Sequence, residues 1–389
     1  MPRVVISAML KWYLHHTAEA FENSNALSGY WVSNANVTGM NNDLYRRIWP
    51  YHLLKKPFYH LPFSQLDEWT RWFFLPVYDA WILRQRIPAD CNVVMGPMGS
   101  CESLFRLAER QDRKILRVFD APNSHPETCV ELWQRECDVF MPGYRIPFPA
   151  RVVARISREI EAADLILCPS TFVKESMVAK GVDARKCFVR HFGVDTSIFH
   201  ARKDLPRDPV FVSVGSVCLR KGHQYLFRAF ARLKESHPNA RLICIGGVRP
   251  DFQKEWPTWK NLIEHHPFLD QRRIADILAN ATAFVLASVE EGFARVLSEA
   301  LAAGLPVIAT HETGITTVTK HGEAAWIVPT QDSLALHEAF LRLADDRDLN
   351  EQMGERALEI GRQSNTWQDY GDDILRAFHR AKSGHTALG

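Results

Sequence analysis

The chain predicts an α/β protein of two doubly wound parallel-sheet domains facing across a cleft, and three observations carry that expectation. Its 389 residues exceed what one core organises well, so two domains of about 150 to 200 residues follow. Short apolar runs alternate with helical periodicity in two series, the pattern of parallel sheets covered by helices. A charged, Pro-marked stretch, Ala201-Arg-Lys-Asp-Leu-Pro-Arg-Asp-Pro209, separates the series.

In the second series the expected strands are Val210 to Val214, Ala240 to Ile245, Asn261 to His265, Ala283 to Ala287, Pro306 to Ala309 and Ala325 to Val328. After the first of them, Leu226, Ala229, Phe230 and Leu233 fall at i, i+3, i+4 and i+7, one face of a helix. The first series offers strands at Arg3 to Ile6, Val93 to Met95, Ile115 to Phe119, Leu165 to Cys168 and Cys187 to Arg190. Between residues 36 and 90 the alternation gives way to an insert in which Tyr45, Trp49, Tyr51, Phe58 and Tyr59 interleave with Arg46, Arg47, Lys55 and Lys56. A helix carrying Trp69, Trp72, Phe73 and Trp81, bent at Pro76, is expected after it. The domains divide as 1–200, 206–365 and a closing segment 366–389. Ligands are expected at the carboxyl ends of the strands.

Composition narrows the function classes. With 46% hydrophobic and 24% charged residues the chain reads as a soluble globular protein. A net charge of +2 argues against nucleic acid as the main ligand. The eight cysteines are scattered without a C-x-x-C pair, as reduced buried thiols are. No apolar run reaches the roughly 18 residues of a membrane span, and the start enters a strand directly, so a cytoplasmic location is expected, with adherence to a membrane surface left open. Gly96-Pro-Met-Gly99 is too far from G-x-G-x-x-G to make a dinucleotide site.

The stretch from Ser288 to Ile308 says most about chemistry. An apolar strand precedes it, Gly292 marks a turn, and Leu297, Ala300, Leu301 and Ala303 continue at helical spacing. Free amides and the positive dipole end of such a helix favour a diphosphate, and Gly292 lets backbone approach it closely. Glu291 and Glu299 stand eight residues apart, about 12 Å along a helix, which is the reach from a hexose across a diphosphate to a ribose. Glu-Gly-Phe, a second Glu eight residues after the first, then Ala-Leu-Ala-Ala-Gly-Leu-Pro-Val, resembles the signature of retaining glycosyltransferases of family 4, which have the GT-B fold. The resemblance covers roughly residues 160 to 380.

That resemblance implies a nucleoside-diphosphate sugar as donor, with no metal or other cofactor. Val212-Ser-Val-Gly-Ser-Val-Cys-Leu-Arg-Lys-Gly-His223 is similar to the family's donor loop, in which Lys221 binds the diphosphate. Ser216 stands where an arginine is usual, so that cation is missing or Arg220 takes its place. The donor set is Gly215, Ser216, Arg220, Lys221, Gly246, Glu291, Gly292, Phe293, Ala294, Arg295 and Glu299. The catalytic set is His125, Glu291 and Lys221. Asn123, Ser124 and His125, after a first-domain strand, form the acceptor side, with His125 reaching the transferred sugar. Glu131 and Glu136 on the next helix read as a solvated face. Phe192 replaces the family's asparagine beside Gly193, and the segment around Trp367 resembles the last helix, which returns to the first domain.

The expected function is a metal-independent retaining glycosyltransferase moving a hexose to a glycan, lipid-linked or small-molecule acceptor. The insert over residues 42–63 is expected to touch a membrane surface or that acceptor. An inert sugar-nucleotide binder and a sugar-nucleotide epimerase fit the same motifs.

Overall fold

The computed structural model describes residues 1–9, 13–33, 41–48, 72–195, 197–202, 204–363 and 366–383. The first sheet has seven parallel strands: β1 Val4–Ala8, β2 Leu27–Val32, β3 Tyr45–Arg47, β4 Val93–Pro97, β5 Leu116–Asp120, β6 Leu165–Cys168 and β7 Cys187–Val189, ordered β3-β2-β1-β4-β5-β6-β7. The second has β8 Val210–Val214, β9 Arg241–Ile245, β10 Glu264–His266, β11 Ala283–Leu286, β12 Val307–Thr310 and β13 Ala325–Val328, ordered β10-β9-β8-β11-β12-β13. Helices cover both faces, so strands such as Val4–Ala8 and Ala283–Leu286 are buried throughout and need unbroken apolar runs. In each sheet the order reverses beside the first strand, between β1 and β4 and between β8 and β11, opening a crevice outside the carboxyl ends.

Two strands were not among those expected. In β2 the run Leu-Ser-Gly-Tyr-Trp-Val is interrupted by Ser28 and Gly29, yet all six residues are buried between helices. Strand β3 comes from the insert, pairing Tyr30 with Tyr45 and Trp31 with Arg46 at the sheet edge. Residues 49–71, which hold all but 42–48 of the stretch expected to touch a membrane, lie outside the described residues. Pro76 does not bend a helix. It lies in the first turn of Leu75–Ile82, where a missing N–H costs nothing.

Three connections hold the domains together. The last helix, Trp367–Lys382, returns to pack on Leu14–Asn23, with Phe21 and Phe378 rings 6.0 Å apart and Ser24 donating to Asp372 at 2.8 Å. The junction residue Gly193 passes so close beneath it that a Cβ would lie 2.7 Å from the Trp367 backbone. The helix Pro126–Phe140 leaves the first sheet and lies against the second domain. Here the expected solvated face is corrected. Glu136 is buried, accepting from Gln224 Nε2 at 2.6 Å, Tyr225 OH at 2.9 Å and Gln331, because the helix surface that carries it meets protein instead of water. Glu131 does pair at the surface, with Lys180 at 2.8 Å.

The Gly96–Gly99 loop has no room for a nucleotide phosphate. The buried Glu159 carboxylate accepts from the amides of Gly99, Cys101 and Glu102 at 2.6, 3.0 and 2.9 Å, filling that helix N-terminus from within.

Candidate functional site

The site is built where the β8 and β11 loops meet the first domain. Gly222 starts the helix His223–Ser236 with φ +69°, and a Cβ there would lie 1.9 Å from the Ala287 carbonyl oxygen. Only glycine lets the β8 loop press so closely on the end of β11. This contact brings Arg220 and Lys221 to the two glutamates that follow β11. Lys221 Nζ donates to Glu291 Oε2 at 2.8 Å. Arg220 Nη1 donates to the Glu290 carbonyl at 2.7 Å and its carboxylate at 3.1 Å, and lies 3.5 Å from Glu291. Burial pushes the Glu291 carboxyl up, but Arg220 and Lys221 outweigh it and hold it at about 2.

A cleft of about 330 Å³ opens beside this cluster. Ser216, Arg220, Lys221 and Arg249 of the second domain form one wall, and Trp72, Trp133 and Phe148 of the first domain stand opposite. Gly215 lies under Lys221, whose Nζ would be 3.0 Å from a Cβ there, and Gly246 is pressed against the Gly215 carbonyl oxygen, where a Cβ would meet it at 2.3 Å.

Several expected residues stand elsewhere. A Cβ on Gly292 would lie 1.8 Å from the Pro122 carbonyl oxygen, and Ser170 Oγ donates to the Gly292 carbonyl at 2.5 Å. Gly292 therefore serves domain contact, and its near side is filled by protein. Ala294 N donates to the Thr313 carbonyl at 3.4 Å, while the Phe293 ring is buried against His191 at 5.4 Å. Arg295 and Glu299 line a separate hollow of about 70 Å³ with His16, Asp195, Gln271 and Trp367. Burial raises the Glu299 carboxyl, and Arg295 offsets this only in part. Glu299 thus lines a hollow apart from the cleft beside Lys221, the partner of Glu291.

The acceptor trio is also redistributed. Ser124 is fully buried, its N–H and Oγ donating to Glu290 Oε1 at 3.1 and 2.7 Å, and Asn123 Nδ2 donates to the same carboxylate at 3.3 Å. Both fasten the domains, though Asn123 also borders the cleft. His125 caps the helix that follows it. Its Nδ1 accepts from the Glu127 N–H at 3.4 Å, and it borders a different hollow, with Glu127, Lys180 and Asp183. Burial lowers its pKa. The reason is directional: the chain turns at Pro122–Ser124 to meet Glu290, so the next side chain leaves the cleft.

Sequence reasoning missed three residues. Glu290, fully buried, is the interdomain acceptor; its signal was the doubled Glu-Glu, read only for its second member. Asp120 ends β5, is 1% exposed and accepts from Tyr13 OH at 2.5 Å; burial pushes it up to about 7, the Tyr13 bond offsetting part of that rise. A carboxylate closing an otherwise apolar strand could have found it. Arg249, three residues past Gly246, borders the cleft. Among the described residues no three His, Cys, Asp or Glu side chains group as metal ligands, and no helix is long and apolar enough to cross a membrane.

Residues 195–359 match the family described as glycosyl transferases group 1. Among curated proteins, a D-inositol 3-phosphate glycosyltransferase of Nocardioides sp. is 26% identical over 61% of this chain and 58% of its own length. An N-acetyl-alpha-D-glucosaminyl L-malate synthase of Bacillus anthracis is 30% identical over 39% of this chain and 40% of its own. The chain thus spans about 40 to 58% of the length of these relatives. Among solved structures, sucrose-phosphate synthase from Thermosynechococcus elongatus superposes with a TM-score of 0.75 at 17% identity, covering 98% of this chain and all of that one. Anabaena HepE in complex with UDP-glucose gives 0.67 at 14% identity, covering 97% and 99%. The shared architecture is the GT-B fold.

Proposed function

We propose that this chain, a group 1 glycosyltransferase of GT-B architecture, transfers a hexose with retention from a nucleoside-diphosphate sugar to a glycan, lipid-linked or small-molecule acceptor. The carrying observation is the Lys221–Glu291 pair beside an interdomain cleft at the carboxyl ends of both sheets. Departure of the diphosphate leaves an oxocarbenium-like sugar and puts negative charge on the leaving oxygen, so fixed cations must stand where that charge develops. Lys221 exchanges Glu291 for the phosphate when the donor arrives. Glu291, held ionised by its cations, is then free to accept hydrogen bonds from the sugar hydroxyls. Glu299, in the neighbouring hollow, holds the ribose. The UDP-glucose named for HepE supports a donor of this class. The acceptor lies on the aromatic wall of Trp72, Trp133 and Phe148, since Asn123 and Ser124 are engaged with Glu290.

The test separates the glutamates. A thermal-shift screen with UDP-glucose and GDP-mannose first identifies a donor. Glu299→Ala then weakens the bare nucleoside diphosphate and the donor alike, by about 1.5 to 3 kcal/mol. Glu291→Ala leaves the bare nucleotide nearly unchanged and lowers single-turnover transfer. Equal weakening of the bare nucleotide by both substitutions refutes the assignment; binding of the donor with neither hydrolysis nor transfer refutes the enzyme in favour of an inert binder, and epimerisation without transfer to any acceptor refutes the transferase.

A further inference from the structure

The two walls of the cleft are chemically unlike. Ser216, Arg220, Lys221 and Arg249 make the second-domain wall polar and cationic, whereas the described first-domain residues that border it, Asn123 apart, are apolar. Pro126, Cys129 and Trp133 fall at i, i+3 and i+7 on the helix Pro126–Phe140, so one stripe of that helix borders the cleft. Trp72 and Phe148 extend the stripe into a wall.

The aromatic groups of this wall are fixed from behind. Trp133 Nε1 donates to the buried Asp251 at 3.1 Å, which ties the indole to the second domain while its ring borders the cleft. Trp72 is 4% exposed and lies so close to Gly99 that a Cβ there would stand 2.6 Å from its ring. Phe148 meets Trp72 edge-on, with ring centres 5.6 Å apart. Trp72 therefore backs the wall, and the half-buried Trp133 is the surface that a ligand meets. Asn123 stands at the edge of the same wall. A carboxylate only accepts, so the Asn123 nitrogen is the atom that faces Glu290, at 3.3 Å, and the amide oxygen points away from it.

An aromatic face with a polar amide at its edge suits a pyranose. A sugar ring presents slightly positive C–H groups on one face, which meet the negative face of an indole, and it carries hydroxyls around its edge. A carboxylate or phosphate set on this wall would lose water to carbon, and an alkyl chain would strip water from the opposite wall without replacing its hydrogen bonds. Both cost free energy. We infer that the acceptor is an uncharged sugar, bound with the apolar face of its ring on Trp133. That this sugar is the acceptor rests on the proposed transferase activity; that it binds here does not.

Saturation-transfer-difference NMR in the presence of UDP tests it, with the methyl glycosides of glucose, galactose, mannose and N-acetylglucosamine as neutral probes. Methyl glucuronide and farnesyl phosphate represent the charged and the lipid alternatives. At least one neutral glycoside is expected to bind the wild-type protein and to bind Trp133→Ala roughly fivefold or more weakly. Trp133→Phe loses the bond to Asp251 and keeps an aromatic face, so it is expected within about threefold of wild type. No binding of any neutral glycoside, or Trp133→Ala within about twofold of wild type, overturns the inference. A loss in Trp133→Phe equal to that in Trp133→Ala also overturns it, by assigning the effect to the Asp251 bond. So does methyl glucuronide or farnesyl phosphate binding more tightly than every neutral glycoside with the same dependence on Trp133. Should the variants not fold, the wild-type spectra decide: irradiation of the aromatic protons is expected to saturate one face of the sugar ring more strongly than the other, and uniform saturation is the refuting result. A glycoside held at Trp133 by a protein that binds neither UDP-glucose nor GDP-mannose keeps the sugar site and removes the donor reading. A bound donor with no glycoside held does the reverse.

Discussion

Glu290 fastens the second domain to Asn123 and Ser124 of the first, and Glu290→Ala tests how much that contact contributes. Its carboxylate is fully buried and accepts from Ser124 N–H at 3.1 Å, Ser124 Oγ at 2.7 Å, Asn123 Nδ2 at 3.3 Å and Arg220 Nη1 at 3.1 Å. Truncation leaves a guanidinium without its adjacent carboxylate and a buried amide without an acceptor. Breaking one side of a buried pair costs about 3 to 5 kcal/mol. At about 2 to 4 °C per kcal/mol for domains of this size, the melting temperature falls by roughly 6 to 20 °C. Glu290→Gln keeps the shape and one acceptor oxygen, and loses about 1 to 3 kcal/mol. Differential scanning calorimetry on both variants gives the shifts. A double-mutant cycle with Ser124→Ala isolates the interdomain share, expected at about 0.5 to 3 kcal/mol of coupling. A loss below 1 kcal/mol in Glu290→Ala, or additivity with Ser124→Ala, refutes the account of Glu290 as the fastening group.

Three further outcomes are expected. Asp120 titrates near 7 in the folded state and near 3.9 unfolded, so the folded protein binds more protons between those values. The stabilisation is complete below about pH 4 and is lost as pH rises through 7, and Asp120→Asn abolishes up to about 4 kcal/mol of that slope; parallel melting-temperature profiles for the two proteins from pH 4 to 8 contradict it. His125→Ala costs about 0.5 to 2 kcal/mol as a lost helix cap and leaves turnover within twofold, so a large fall in turnover of a folded variant would return the residue to the chemistry. Transfer activity is expected to survive EDTA, and loss restored by Mn²⁺ or Mg²⁺ would show a metal requirement.

The alternation of the second domain was legible because its strands are buried on both faces and must be continuous apolar runs, as Ala283–Leu286 and Val307–Thr310 are. The Arg220–Lys221 loop and the Glu290-Glu291-Gly292 turn were legible as loops because each follows an apolar strand, β8 and β11, of the same sheet. Strand β2 was not, since Ser28 and Gly29 break its pattern and only packing on both sides selects the extended form.

What each polar side chain meets was decided by the meeting of the domains. Glu290 and Glu291 are adjacent and chemically identical, yet one faces Ser124 of the first domain and the other Lys221 of its own. Glu136 looked solvated on its helix and is buried because that helix crosses to Gln224 and Tyr225. His125 and Asp120 lie five residues apart, and the turn through Pro122 sends the histidine away from the cleft while the aspartate stays at the strand end under Tyr13. Sequence by itself determined the elements and the chemistry available to them, because propensity and burial pattern are local. Tertiary structure alone decided partners and charge states, because those depend on which atoms from distant segments exclude water around each group.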